Sequence, residues 1–230
     1  METLSLCITN YNRCDMLLES FSEVLKDERV SEIVISDDCS KQSIYNKVKS
    51  YTVKNKKIKL FRNENNVGMA KNKMLSVKRA ENDYAIVFDS DNKISSVYID
   101  GLYRVKWRPK VILAPSFAKP EFDYRQFSGD LINAQNIKHY MGEPMFQCFL
   151  NTCNYFVNRD EYLQTFVYDQ SIKASDTIHF NYLWLKRGGC FQVVPQMEYE
   201  HRVHSGSGFL QDAEYNLRKA EQFVNLIKQL

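Results

Sequence analysis

Residues 4–91 alternate between two periodicities, and that alternation leaves few folds open. LSLCIT, SEIVIS, KIKLF and YAIVF are short apolar runs with strand character. Between them CDMLLESFSEVLKD, QSIYNKVKSYT and GMAKNKMLSVKRA carry apolar residues at helical spacing. Strand, helix, strand, helix predicts an α/β fold on a mostly parallel central sheet. In such a sheet ligands bind beyond the carboxyl ends of the strands. The polar residues that follow the four strands are Thr9 and Asn10, Asp37 and Asp38, Asn63 to Asn66, and Asp89, Ser90 and Asp91. All of them are expected to crowd one edge, with carboxylates from two strands.

The second half is less regular. VILAPSFAK predicts a strand, CNYFVNRDEYLQTF a strand entering a helix, and DTIHFNYLWLKRGG a helix stopped by glycine. CFQVVP is a short strand. The stretch from Pro120 to Pro144 is polar, rich in aromatics, and read as partly helical. In the tail, Leu210, Ala213, Leu217, Ala220, Val224 and Ile227 fall on one helical face, which is expected to pack on the parent domain.

Composition narrows the function classes. The chain has 230 residues, 44% hydrophobic and 26% charged, the balance of a soluble globular protein with a sizeable core. A net charge of +3 demands no polyanionic partner, so no nucleic acid is expected. Lysines cluster in NKVKSYTVKNKKIKL and MAKNKMLSVKR. A solvated face is the plainer reading, and a weak attraction for phosphates or anionic lipid heads the sharper one. The six cysteines form no CxxC pair, so neither a zinc site nor a disulfide framework is expected. METLSLCITNYNR is too short and too polar an apolar run for a signal peptide, and no run reaches transmembrane length. The expectation is a cytoplasmic chain that can still rest on a membrane surface.

In FDSDN, Asp89 and Asp91 sit two residues apart at a strand end. At a turn they can converge on a hard cation that keeps phosphate oxygens in its shell. Taken alone, an ordinary strand-end turn explains them as well. They do not stand alone. ISDDCS follows an earlier strand and NENNVGMAKNK lies between the two. This order resembles the inverting family 2 glycosyltransferases, of the Rossmann-like GT-A fold with helices on both faces of the sheet. The resemblance runs from Leu4 to about Gly208.

The resemblance implies a single GT-A domain over residues 1–230. Its nucleotide-binding half would be 1–95, its acceptor half 96–208 and its C-terminal helix 209–230. Thr9, Asn10, Asn12 and Arg13 would line the nucleotide. Asp38, with Asp37, would read the base, and Cys39 stands where the family has glycine. Asn66 and Gly68 belong to the next nucleotide-binding segment, and Lys71 takes the place of its arginine, keeping charge without the planar fork. Asp89 would face the ribose, with Ser90 beside it, and Asp91 would hold Mn²⁺ or Mg²⁺.

KASDTIHF resembles the family's Glu-Asp segment, with Ser175 in place of the glutamate and Asp176 as general base. An ordinary helix cap explains the same residues. His201 would reach the metal or the diphosphate, with His204 the competitor and Arg202 a diphosphate partner. His139 and His179 are expected to be structural. Trp107, Tyr140, Phe146 and Trp184 fit sugar stacking or core packing alike. Asn151, Thr152 and Asn154 would shape the acceptor side.

The implied reaction is transfer from a nucleotide-diphosphate sugar, UDP-linked by preference, to a glycan, glycolipid or lipid-linked acceptor. The alternatives are retention on the same fold and a non-catalytic nucleotide-binding or interaction module. A nucleotidyltransferase is disfavoured because CITNYNR lacks a phosphate loop's glycines.

Overall fold

The computed structural model describes residues 2–204 and 206–230. The first half follows the predicted alternation: β1 (Leu4–Asn10), α1 (Asp15–Ser20), β2 (Val30–Asp37), α2 (Gln42–Thr52), β3 (Ile58–Arg62), α3 (Met69–Lys78) and β4 (Tyr84–Asp89). Then come β5 (Lys93–Ile94), α4 (Ser96–Leu102), β6 (Val111–Lys119), β7 (Phe122–Asp123), β8 (Leu131–Ile132) and α5 (Pro144–Leu150). The chain closes with β9 (Tyr155–Asn158), α6 (Arg159–Thr165), α7 (Asp176–Lys186), β10 (Cys190–Glu200), α8 (Gly208–Gln211) and α9 (Ala213–Ile227).

One ten-stranded sheet runs through the molecule in the order β3-β2-β1-β4-β9-β6-β10-β5, with β7 on β6 and β8 on β10. The parallel character expected of the sheet belongs to β3, β2, β1 and β4, and returns where β6 pairs with β10. Beyond them β9 enters antiparallel to both β4 and β6, so the second half is mixed.

Both faces of this sheet are covered, and the strand residues alternate between two cores as the pleat requires. Leu4, Leu6 and Ile8 of β1 pack with Leu17, Phe21, Val48, Ile99 and Leu102 on one side. Cys7, Val34, Ala85 and Val87 face the other side, against Val77, Ile178, Trp184 and Val224. Burial on both faces explains why these strands read as continuous apolar runs.

Four expectations change in detail. The helix after β1 ends at Ser20, where Ser20 and Ser22 hydroxyls donate to the carbonyls of Leu17 and Glu19 and the chain continues in turns. The polar stretch 120–144 forms turns, two short 3₁₀ segments and the small strands β7 and β8. CFQVVP extends into an eleven-residue strand. In the tail, a break at Asp212 separates Leu210 from α9, and Leu210 and Leu217 are exposed. The stripe that packs is Asn216, Ala220, Phe223, Val224 and Ile227. At the end of α7 the predicted glycine stop is present: Gly188 has φ +79°, and Gly189 N–H donates to the Trp184 carbonyl at 2.9 Å.

Candidate functional site

The strand register brings the predicted edge together. Thr9 lies opposite Ser36 on one side and Asp89 on the other. Asn10 pairs with Asp37, and Asp37 with Arg62. The loops above these ends are tied by side chains. Asp37 is fully buried and accepts from Asn10 Nδ2 at 2.9 Å and from the Ser40 N–H and hydroxyl at 3.0 and 2.6 Å. It is turned inward and builds the turn after β2. Cys39 adopts φ +60° there, so the left-handed conformation that glycine would favour is kept without glycine. Asn12, also left-handed at φ +55°, accepts from Lys41 N–H at 2.8 Å and clips the loop after β1 to the start of α2.

Asp38 holds the next loop. Its Oδ1 accepts from Asn63 Nδ2 and Val67 N–H, both at 2.9 Å, and its Oδ2 from Gly68 N–H at 3.0 Å. Gly68, at φ +83°, caps α3, and Asn66 Oδ1 also accepts its N–H. Beneath lies a buried network in which Asn72 joins Ser36 and Asn63, and Arg79 donates to the same two residues. Both aspartates after β2 are therefore occupied in setting loop geometry.

The next group joins two distant segments. Lys73, 7% exposed, reaches from α3 to Asp89 Oδ1 at 3.4 Å and to Asp176 Oδ2 at 3.0 Å. Burial pushes its ammonium down, but Asp176 and Asp89 outweigh this and hold it well above its ordinary pKa. Desolvation raises the Asp89 carboxyl; Asp91 and Asp176 add to the rise and Lys73 opposes it. Asp176 is the first residue of α7 and is 8% exposed. Ser175 stands at the N-cap of α7 but its side chain makes no capping bond; its hydroxyl donates to the Asn216 carbonyl at 2.8 Å, fixing the start of α7 to α9. Asn154 Oδ1 accepts the Asp89 N–H at 2.8 Å, which steadies the end of β4.

Lys71, the lysine assigned to the nucleotide from the sequence, has its Nζ 5.5 Å over the Tyr168 ring and is not part of this ion-pair group. Lys73 is the residue that sequence reasoning missed. A signal was present, because Lys73 falls on the buried stripe of α3, four residues before Val77. A lysine on an apolar stripe implies a buried charge that needs partners.

Asp91 gathers a second group. Its Oδ2 lies 3.1 Å from His204 Nε2 and 3.2 Å from Arg13 Nη2. Arg13 also donates to the Gly206 carbonyl at 3.1 Å, and Gly206 N–H donates to His204 Nδ1 at 3.1 Å. Of the two histidines, His204 is therefore the one brought to Asp91. His201 is held at the end of β10, where its N–H donates to the Lys119 carbonyl at 2.7 Å and its ring packs edge-on against Phe122. Arg202 is engaged with the protein itself. It donates to the carbonyls of Asp91 at 2.6 Å, Met16 at 3.0 Å and Asn92 at 3.2 Å, and pairs with Glu19. It fixes the turn that carries Asp91.

Ser90 is buried, and its hydroxyl has no partner among the described residues. The aromatics considered for stacking pack in the protein. Trp107 sits against Tyr84, Tyr103 and Phe156, Tyr140 stacks on Phe146, and Trp184 is buried with its indole N–H on the Cys190 carbonyl. His139 ends a 3₁₀ segment, and His179 lies on α7 against Phe223. Among the described residues, no helix is long and apolar enough to cross a membrane. Nor, among the described residues, is any group of three or more His, Cys, Asp or Glu side chains arranged to hold a metal ion.

Comparison with known proteins places the fold. The chain is similar in structure to GalNAc-T7 crystallised with UDP, GalNAc and Mn²⁺, with a TM-score of 0.68 and 16% identity over 96% of this chain and 49% of that one. It is also similar to S. aureus TarS 1–349 in complex with UDP-GlcNAc (TM-score 0.68, 14% identity, 98% and 66% covered). A mannosyltransferase from Pyrobaculum calidifontis in complex with GDP-Man and Mn²⁺ is a third (TM-score 0.65, 10% identity, 98% and 68% covered). At these identities the likeness is one of fold. The chain spans about half the length of the GalNAc-T7 chain and about two thirds of the TarS chain. A search of curated proteins returns no significant match. The sequence profile described as glycosyl transferase family 2 matches residues 5–165, most of the chain, and the protein belongs to that family.

Proposed function

We propose that this chain transfers a sugar from a nucleoside-diphosphate donor, UDP-linked by preference, to an acceptor hydroxyl with inversion, using a divalent cation and Asp176 as general base. The observation that carries this reading is the meeting of Asp89, at the donor-side end of β4, with Asp176, at the start of α7, across one buried lysine. Two carboxylates from segments so far apart in the chain serve no obvious folding need, while a displacement reaction needs groups on both sides of the anomeric carbon. The presence of UDP, UDP-GlcNAc and GDP-Man in the similar structures supports a nucleoside-diphosphate leaving group.

The donor set at Asp91 fits a divalent cation. A carboxylate oxygen and an imidazole nitrogen suit Mn²⁺, and two protein groups leave positions for diphosphate oxygens. With Gly206 N–H donating to Nδ1, a neutral His204 ring carries its proton on Nε2. Asp91 would hold the cation, and His204 would join through Nε2 only as the other tautomer, with its proton on Nδ1 and the Gly206 N–H bond given up. When bound, the cation supplies neutralisation of the charge that grows on the departing diphosphate. Arg13, beside Asp91, adds a second positive charge on the same side.

Asp176 does the remaining chemistry. It takes the acceptor's proton as the acceptor oxygen attacks, and the bond to the diphosphate oxygen breaks on the opposite face. Inversion is the expected stereochemistry. Proton NMR of the sugar first released from an α-linked donor to water, recorded before mutarotation, is expected to show the β anomer. An α product would contradict the inverting part of this proposal.

A further inference from the structure

Lys73 takes no part in the proton transfer or in cation binding, yet it is buried between the two carboxylates of the site. Its side chain is 9% exposed and lies 3.0 Å from Asp176 Oδ2 and 3.4 Å from Asp89 Oδ1. A buried ammonium of this kind has to be paired, and here one charge serves two carboxylates from opposite sides of the site. We propose that Lys73 is the positioning residue of the transfer, holding the Asp176 carboxylate in place for proton abstraction and tying it to the donor-side Asp89. The inference rests on Asp176 being the base.

The charge count explains why two carboxylates are better than one. A lone ammonium opposite a single carboxylate forms a neutral pair, and the carboxylate then accepts a proton poorly. With Asp89 sharing the ammonium, the three groups carry a net single negative charge before transfer. In the step the acceptor O–H bond breaks and its proton goes to Asp176. The acceptor oxygen bonds the anomeric carbon, and the electron pair of the old glycosidic bond leaves with the diphosphate. Afterwards Lys73 and Asp89 remain as a balanced pair beside a neutral Asp176, an inexpensive charge state to bury. Lysine suits this place because its three donors sit on one compact charge and can point to two acceptors at an angle.

Steady-state kinetics with the donor, comparing wild type with Lys73→Met, Lys73→Arg, Asp176→Asn and the Lys73→Met/Asp176→Asn double variant, tests the inference. Lys73→Met is expected to lower kcat on the order of 30-fold, with donor KM within about threefold, because a base displaced by a fraction of an ångström loses alignment. Lys73→Arg keeps the charge and serves if Lys73→Met fails to fold; it is expected to recover part of kcat at unchanged KM. In the Asp176→Asn background, Lys73→Met should cost little further, since both act on one step. Unchanged kcat in a folded Lys73→Met protein would overturn the inference and leave the functional reading standing. So would a loss confined to donor KM, or an equal loss in both backgrounds. A wild type that cleaves no sugar nucleotide would overturn both.

Discussion

Asp176→Asn is expected to reduce sugar transfer, and the slower transfer to water, by about 10³-fold, with donor KM unchanged within about threefold. Asparagine keeps the shape of the side chain and removes its ability to take a proton. The fold should survive, because Lys73 retains Asp89 as a charged partner and Ser175 still anchors the start of α7 on the Asn216 carbonyl. A circular dichroism spectrum and a melting temperature near those of the wild type would confirm that. The pattern matters as much as the size. A fall in kcat at constant KM marks an interaction made in the transition state, whereas a rise in KM alone would move Asp176 into donor binding. Retention of full activity would remove it from the chemistry.

Asp91→Asn is expected to act at the other end of the reaction. It removes the charge on which Arg13 and His204 converge, at 3.2 and 3.1 Å, and replaces one carboxylate oxygen with an amide nitrogen that cannot ligate a cation. Titration calorimetry with UDP should show wild-type affinity rising with Mn²⁺. The variant should lose that rise, binding about 100-fold more weakly in Mn²⁺ and no differently in EDTA. His204→Ala is expected to give a smaller loss in the same direction. His201→Ala is expected to leave Mn²⁺ dependence intact, because its ring is committed to Phe122. A Mn²⁺-dependent rise that survives in Asp91→Asn would place the cation elsewhere.

The polar edge at the strand ends was legible in the sequence because its signals are local. Apolar runs define β1, β2, β3 and β4, and the polar residues that follow them align once parallel pairing is assumed. The pairing of Asp176 with this edge was legible only through family resemblance. Nothing in residues 90–175 reports that α7 begins beside β4. Lys73 was missed by a slip of two residues. On a helix that turns about 200° over two positions, Lys71 and Lys73 point to nearly opposite sides. One lies over Tyr168 at the surface and the other is buried between carboxylates.

The histidine was ambiguous for a related reason. β10 runs to Glu200, so His201 still obeys strand geometry, and only three residues later has the chain turned back far enough to meet Asp91. Asp37 and Asp38 show the opposite limit. Their spacing announces a site, but beyond the local bond to Ser40 their hydrogen bonds, to Asn10, Asn63, Val67 and Gly68, are long-range and cannot be read from composition or period. Cys39 shows that a backbone conformation can persist without its preferred residue. The turn is held by Asp37 and Ser40 rather than by glycine.

The most direct measurement is release of nucleoside diphosphate from a panel of UDP-, GDP- and dTDP-sugars by the wild-type chain, with Mn²⁺ and with EDTA. At least one donor is expected to be cleaved in Mn²⁺, with release abolished by EDTA and reduced to near background by Asp176→Asn. No release from any donor, together with no change in melting temperature on adding any nucleoside diphosphate with Mn²⁺, would contradict the assignment of this site to sugar transfer.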